Sequence, residues 1–153
     1  MPKEPPAFRT EGVSAVLPGR QEVRMKRLDI EWRHFERDGE TCLRCSATGK
    51  TLHQVVAELE QELGAEGVQV SFRETKLPDS RLAESNVILF NGVPLEEILA
   101  GAVSGTSDCP SCACLMGHQT ACRTVEYAGR SYEEIPEELI REAAWRAAGV
   151  EGR

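Results

Sequence analysis

Thr41-Cys42-Leu43-Arg44-Cys45 is the stretch whose reading decides the fold. It places two cysteines three residues apart, after a segment of strand periodicity and before the most regular helical pattern in the chain. Upstream, from Met25 to Phe35, Leu28, Ile30, Trp32 and His34 share one side of a two-residue period, and Arg27, Asp29, Glu31 and Arg33 take the other. Arg37-Asp38-Gly39-Glu40 reads as a turn. Downstream, Leu52, Val55, Val56, Leu59 and Leu63 form one apolar stripe at i, i+3, i+4, i+7 and i+11. Gly64 is the expected C-cap. Projected back along this helix, Cys45 falls close to the stripe and Cys42 to one side of it. Gly49 leaves a second start open, with Thr48 as N-cap.

Beyond that helix, Val68 to Phe72 alternates as a second strand, which Pro78-Asp79-Ser80 ends. Val87-Ile88-Leu89-Phe90 is a short buried strand closed by the Asn91-Gly92 turn signal. Pro94 opens a short helix with Leu95, Ile98 and Leu99. Gly101 to Met116 reads as loop. Arg123 to Tyr127 alternates again and turns through Ala128-Gly129-Arg130 into Ser131-Tyr132. A last helix starts at Pro136, turns Leu139, Ile140, Ala143, Ala144 and Ala147 inward, and stops at Gly149. Residues 1–24, with four prolines and no sustained period, read as a flexible tail. The expected domain is 25–150, with a cysteine-rich loop inserted at 102–122. A strand–helix–strand unit implies a right-handed parallel crossover, and the later hairpin adds antiparallel strands. The fold class is therefore α/β, a small mixed sheet flanked by helices.

The chain has 153 residues and a net charge of −7, so it is long enough for one real core. Residues 1–27 hold six Lys and Arg against three Asp and Glu; the remainder holds twelve against twenty-two. An acidic folded part excludes nucleic acid as the main partner, because phosphate binding needs a basic surface. No apolar run is long enough to span a bilayer, and the first ten residues lack the apolar core of a secretory signal. A cytoplasmic location is expected. In a reducing compartment, six cysteines point to catalysis or metal binding sooner than to a disulfide framework.

For the first pair, Cys42 and Cys45, the chemistry expected is a redox-active dithiol. Unpaired amides at a helix start favour the thiolate of Cys42, the nucleophile, and Cys45 then resolves the mixed disulfide. Arg44 adds positive potential. The second group is Cys109, Cys112, Cys114 and Cys122. Cys109-Pro110-Ser111-Cys112 forms a turn that aims two sulfurs at one ion. Cys114 and Cys122 complete a zinc tetrahedron, with His118 as a substitute ligand. A second redox dithiol, trivalent arsenic or mercury held by three thiolates, and small buried hydrophobes are the competing readings of this group. The two groups are expected to meet in space. His34 reads as a packed core histidine and His53 as a surface residue. Phosphate-loop, serine-hydrolase and zincin motifs are absent.

Residues 25–149 resemble an uncharacterised prokaryotic family of thioredoxin-like proteins, a domain of unknown function. The segments Thr41 to Cys45, Ser85 to Glu97, Cys122-Arg123-Thr124 and Ile135 to Ile140 carry the resemblance. It implies a thioredoxin-like sheet with the dithiol at the helix start. Thioredoxins carry a cis-proline before the third strand, and Ser85-Asn86 stands at the matching place. That substitution argues against ordinary docking of protein disulfides. Three function classes follow. One is a thiol–disulfide oxidoreductase acting on a protein or small-molecule disulfide. The second is a non-enzymatic binder of zinc, arsenic or mercury, and the third is an interaction module stabilised by zinc.

Overall fold

The computed structural model describes residues 26–150, so the expected tail at 1–24 lies outside the described residues. In chain order the elements are β1 (Lys26–Phe35), α1 (Leu43–Gly64), β2 (Val68–Leu77) and a 3-10 helix (Asp79–Glu84). β3 (Val87–Phe90), β4 (Val93–Pro94), α2 (Leu95–Ile98), β5 (Val103–Asp108) and α3 (Pro110–Met116) follow. The chain closes with β6 (Ala121–Tyr127), β7 (Arg130–Tyr132) and α4 (Glu137–Ala148).

Two sheets result. The larger has the order β2-β1-β3-β4. β1 and β2 run parallel, with Ile30 beside Phe72, because the 22-residue helix α1 carries the chain back across the sheet. β3 runs antiparallel to β1, with Ile30 opposite Phe90, and β4 is antiparallel to β3. This is the thioredoxin-like mixed α/β sheet. Asn91 and Gly92 both adopt positive φ, 53° and 84°, which is the two-residue hairpin turn that Asn-Gly favours. The Asn91 side chain accepts from Asp29 N at 2.8 Å and so ties the turn to the central strand.

The core lies on one face of this sheet. Leu28, Ile30 and Trp32 of β1 meet the α1 stripe (Leu52, Val55, Val56, Leu59, Leu63) and Leu139, Ile140, Ala143 and Ala144 of α4. All five residues of the stripe are buried. Each buried Leu contributes roughly 1.5–3 kcal/mol relative to exposure. A polar chain crosses this core. Trp32 Nε1 donates to Asn86 Oδ1 at 2.7 Å, and Asn86 Nδ2 donates to Thr48 Oγ1 at 2.9 Å. Thr48 Oγ1 also accepts from Ile135 N at 3.2 Å. Two buried side chains, Asn86 and Thr48, thus link β1, α1, the start of β3 and the approach to α4.

Three expectations are corrected. Gly101 to Met116 is not loop, since it contains strand β5 and helix α3. β5 escapes a periodicity reading because its residues, VSGTSD, carry no apolar alternation. It is held by pairing with β6, from Val103 opposite Glu126 to Asp108 opposite Ala121. Second, β6 and β7 do not extend the main sheet but form a separate antiparallel sheet, β5-β6-β7. The main sheet is already closed by β4, so the cysteine-rich insertion follows its last strand. Third, α1 begins at Leu43 with Cys42 as N-cap, and Thr48 lies buried within the helix. The helix runs through Gly64 to a C-cap at Ala65.

Gly49 is buried in α1, and a Cβ there would collide with the Trp32 indole. At an open helical site, Gly→Ala gains about 1 kcal/mol. Here Gly49→Ala is expected to reverse that sign and destabilise by ~1–3 kcal/mol through overpacking. Urea denaturation of the two proteins, compared by midpoint at unchanged slope, measures this.

Candidate metal and thiol site

The Cys-x-x-Cys spacing occurs twice, and the chain folds it the same way both times. Cys42 is extended (φ −76°, ψ 166°) and caps α1, with Cys45 in the first turn. Cys109 is extended (φ −126°, ψ 93°) and precedes α3, with Pro110 at the first helical position and Cys112 in the first turn. Proline fits there because the first helical amide needs no intrahelical partner. The two helix starts face one another, and Ser111 Oγ accepts from Leu43 N at 2.8 Å. Cys109 N donates to Thr120 O at 2.9 Å, which brings β6 and Cys122 alongside.

The result is a group of four sulfurs. The Sγ atoms of Cys42, Cys109, Cys112 and Cys122 all lie within 4.8 Å of one another, and all four residues are buried. Cys112 and Cys122 approach to 3.2 Å. The expected meeting of the two cysteine groups is what the geometry contains. Its membership differs from the expected quartet by one exchange: Cys114 is exposed and outside the group, and Cys42 takes the fourth place. An exposed Cys114 follows from α3, because it lies two residues beyond Cys112 and so on another face of the helix. His118 is also exposed, with Nδ1 against Gln119 O at 3.1 Å, and it does not join the group.

Cys45 is buried beside the quartet without belonging to it. Its backbone N–H donates to Cys42 Sγ at 3.4 Å, and its own sulfur lies 3.1 Å from Ser85 Oγ. Ser85 also accepts from Phe35 N at 2.8 Å. The residue standing at the cis-proline place of the resemblance is therefore a polar anchor between β1 and the second thiol.

Hydrogen bonding within the group favours ionisation at Cys42 over its neighbours. Cys42 is held well below the usual thiol range, first by hydrogen bonding from Cys122, then from the Cys45 thiol, and further by the Cys45 N–H. Its partners move the other way. Cys122 is raised because it donates to Cys42 and is buried, and Cys45 is raised for the same two reasons. Cys112 is pushed up to about 12, chiefly by burial. Arg44 is buried, with Nη2 donating to Asp108 O, next to Cys109, and lying 3.2 Å from Glu133. Its Nη1 has no partner among the described residues. Arg44, paired with Glu133, thus ties the first cysteine segment to the second through the Asp108 carbonyl.

A second cluster, His34, Glu36 and Glu74, also brings its ligand atoms within 4.8 Å of one another. His34 is buried, stacks on Trp32 and pairs through Nε2 with Glu74, while Lys76 Nζ lies 3.4 Å from Glu36. These contacts already engage the side chains of the cluster, and His34 is the core histidine expected. His53 is exposed and sits edge-on to Phe72. Reading the sequence alone missed Ser111, Thr120 and the helix at 110. The repeated spacing with Pro110 was the signal that could have found α3.

The pH dependence of the metal-free protein follows in sign. Unfolded cysteines titrate near ~8.5, whereas the folded Cys112 holds its proton to about 12. A raised pKa gives stability that is full below the unfolded value and is lost as pH rises through the folded value. The metal-free protein should therefore lose stability from about pH 8.5 upward. Urea midpoints at pH 7.5, 9 and 10.5 are expected to fall in wild type and to fall less in Cys112→Ser.

No helix among the described residues is long and apolar enough to cross a membrane. No solved structure matches the chain. An uncharacterized protein of Archaeoglobus fulgidus is 35% identical over 117 residues, which cover 74% of this chain and 82% of that protein. A family model described as a domain of unknown function, DUF2703, matches residues 28–144, from the central strand to the last helix. The chain belongs to that family.

Proposed function

We propose that the chain binds one thiophilic divalent cation, with zinc as the reference ion, on Cys42, Cys109, Cys112 and Cys122. The observation that carries this reading is four buried sulfurs, from three separate segments, within 4.8 Å of one another. A tetrahedral tetrathiolate zinc site, with Zn–S near 2.3 Å, places its sulfurs about 3.8 Å apart. The quartet needs only small side-chain movements to reach that spacing. Four thiolates fill the coordination sphere, which suits a closed, stabilising site rather than a catalytic one with an open position. Four donors also favour zinc over trivalent arsenic, which three thiolates satisfy. The cation replaces protons that burial otherwise retains on Cys112, and that hydrogen bonding to Cys42 and burial retain on Cys122.

Protein purified without chelator is expected to hold about one zinc per chain. Cobalt substitution should give a sulfur-to-cobalt charge-transfer band that Cys109→Ser or Cys122→Ser weakens and Cys114→Ser leaves in place. Fewer than ~0.2 zinc per chain, with no cobalt band on titration, sinks the reading.

A second reading has its own support. Cys42 caps the helix after the central strand and Cys45 sits in its first turn, the place of a thioredoxin-like dithiol, and hydrogen bonding favours the thiolate at Cys42. In this reading Cys42 attacks a disulfide and Cys45 resolves the mixed disulfide. Both thiols are buried, which favours a small disulfide over a protein one. Reduced, metal-free protein should then turn over a small aromatic disulfide, with Cys42→Ser lowering the rate at least ~100-fold. Equal rates in the two proteins would remove this reading.

A further inference from the structure

We infer that Cys45 is a redox trigger for the four-cysteine site: oxidation joins Cys42 to Cys45 as a disulfide and takes one of the four ligands away from the metal. The inference rests on the metal reading and adds its control. Five of the six cysteines are buried, yet only four form the quartet. In a loaded site Cys109, Cys112 and Cys122 are committed to the ion. Cys45 is then the one buried thiol left uncommitted among the described residues, and it lies beside a ligand.

The placement suits that role. Cys45 follows Cys42 by three residues in the first turn of α1, with its N–H on Cys42 Sγ at 3.4 Å. A Cys-x-x-Cys at a helix start closes a disulfide within one turn. Ser85 Oγ, 3.1 Å from Cys45 Sγ, holds the sulfur in place from the β3 side. The alternative pair, Cys112 and Cys122 at 3.2 Å, consists of two ligands, so both must leave the ion before they can bond to each other. Burial also selects the oxidant. A peroxide can reach sulfurs that a folded protein disulfide cannot.

The chemistry balances. The Cys42 sulfur attacks the peroxide, the O–O bond breaks, and Cys42 becomes a sulfenic acid as one oxygen leaves and is protonated to water. The Cys45 sulfur then attacks Cys42, the S–O bond breaks, and the second oxygen leaves as water with the Cys45 proton. Two sulfurs are oxidised by one electron each, and one hydrogen peroxide is reduced to two waters. Three thiolates remain on the ion, and it leaves to a competing chelator.

The test is zinc release from the full-length, zinc-loaded protein, treated with hydrogen peroxide in the presence of a chromophoric chelator. Wild type should release zinc, yield a Cys42–Cys45 disulfide by peptide mass mapping, and reload after dithiothreitol and fresh zinc. Cys45→Ser and Cys45→Ala should load zinc and release it at least about fivefold more slowly. Two variants guard against a folding defect in either. Release at the wild-type rate from a loaded Cys45 variant, or a disulfide that maps to Cys112–Cys122, overturns the inference and leaves the metal reading standing. A wild-type protein that loads no zinc overturns both.

Discussion

Four buried sulfurs share a volume small enough for one ion, and that crowding governs the site. Thiols in such a volume can carry about one negative charge before repulsion and lost hydration stop further ionisation. Hydrogen bonds from two neighbouring thiols and an amide favour ionisation at Cys42, and the same bonds raise the two donor thiols. A divalent cation is the simplest partner that lets the remaining sulfurs ionise. The dithiol and the cysteine-rich insertion are therefore one electrostatic system, although 68 residues separate Leu43 from its cap at Ser111.

The fold presents this system by using one local device twice. Each Cys-x-x-Cys puts its first cysteine at a helix N-terminus and its second in the first turn. The central strand β1 delivers the first pair, and β6 presents Cys122 beside the second. Around them the polar connections are direct. Ser85 joins Phe35 to Cys45, and Arg44 reaches the carbonyl that precedes Cys109. The small second sheet and its helix α3 pack against the start of α1, and this contact buries the four sulfurs together.

What could be read from the sequence was what depends on local periodicity. The stripe Leu52 to Leu63, the alternation Leu28 to His34, the run Val87 to Phe90 and the Asn91-Gly92 turn each carry their signal within a few residues, and the main sheet followed from them. The site was legible in composition but not in membership. Cys114 stands beside Cys112 in sequence, so spacing alone admits it, while α3 turns it outward. Cys42 enters the quartet only because the insertion folds back onto α1, a long-range contact that no local pattern encodes. β5 was hidden for a related reason: its Ser-, Gly- and Thr-rich sequence is a strand by virtue of its partner.

The Leu43–Ser111 contact also bears on the unfolded chain. An ion that bridges Cys42 to the insertion closes a loop of nearly half the molecule, one that contains β2, β3, β4 and β5. By the chain-entropy model of a covalent cross-link, closing a loop of that size is worth about 4 kcal/mol, most of it drawn from the freedom of the unfolded state. An ion at the quartet would then act as a late-set rivet. It is unable to form until β1, α1 and the insertion have met, and afterwards it resists their separation far from where it sits.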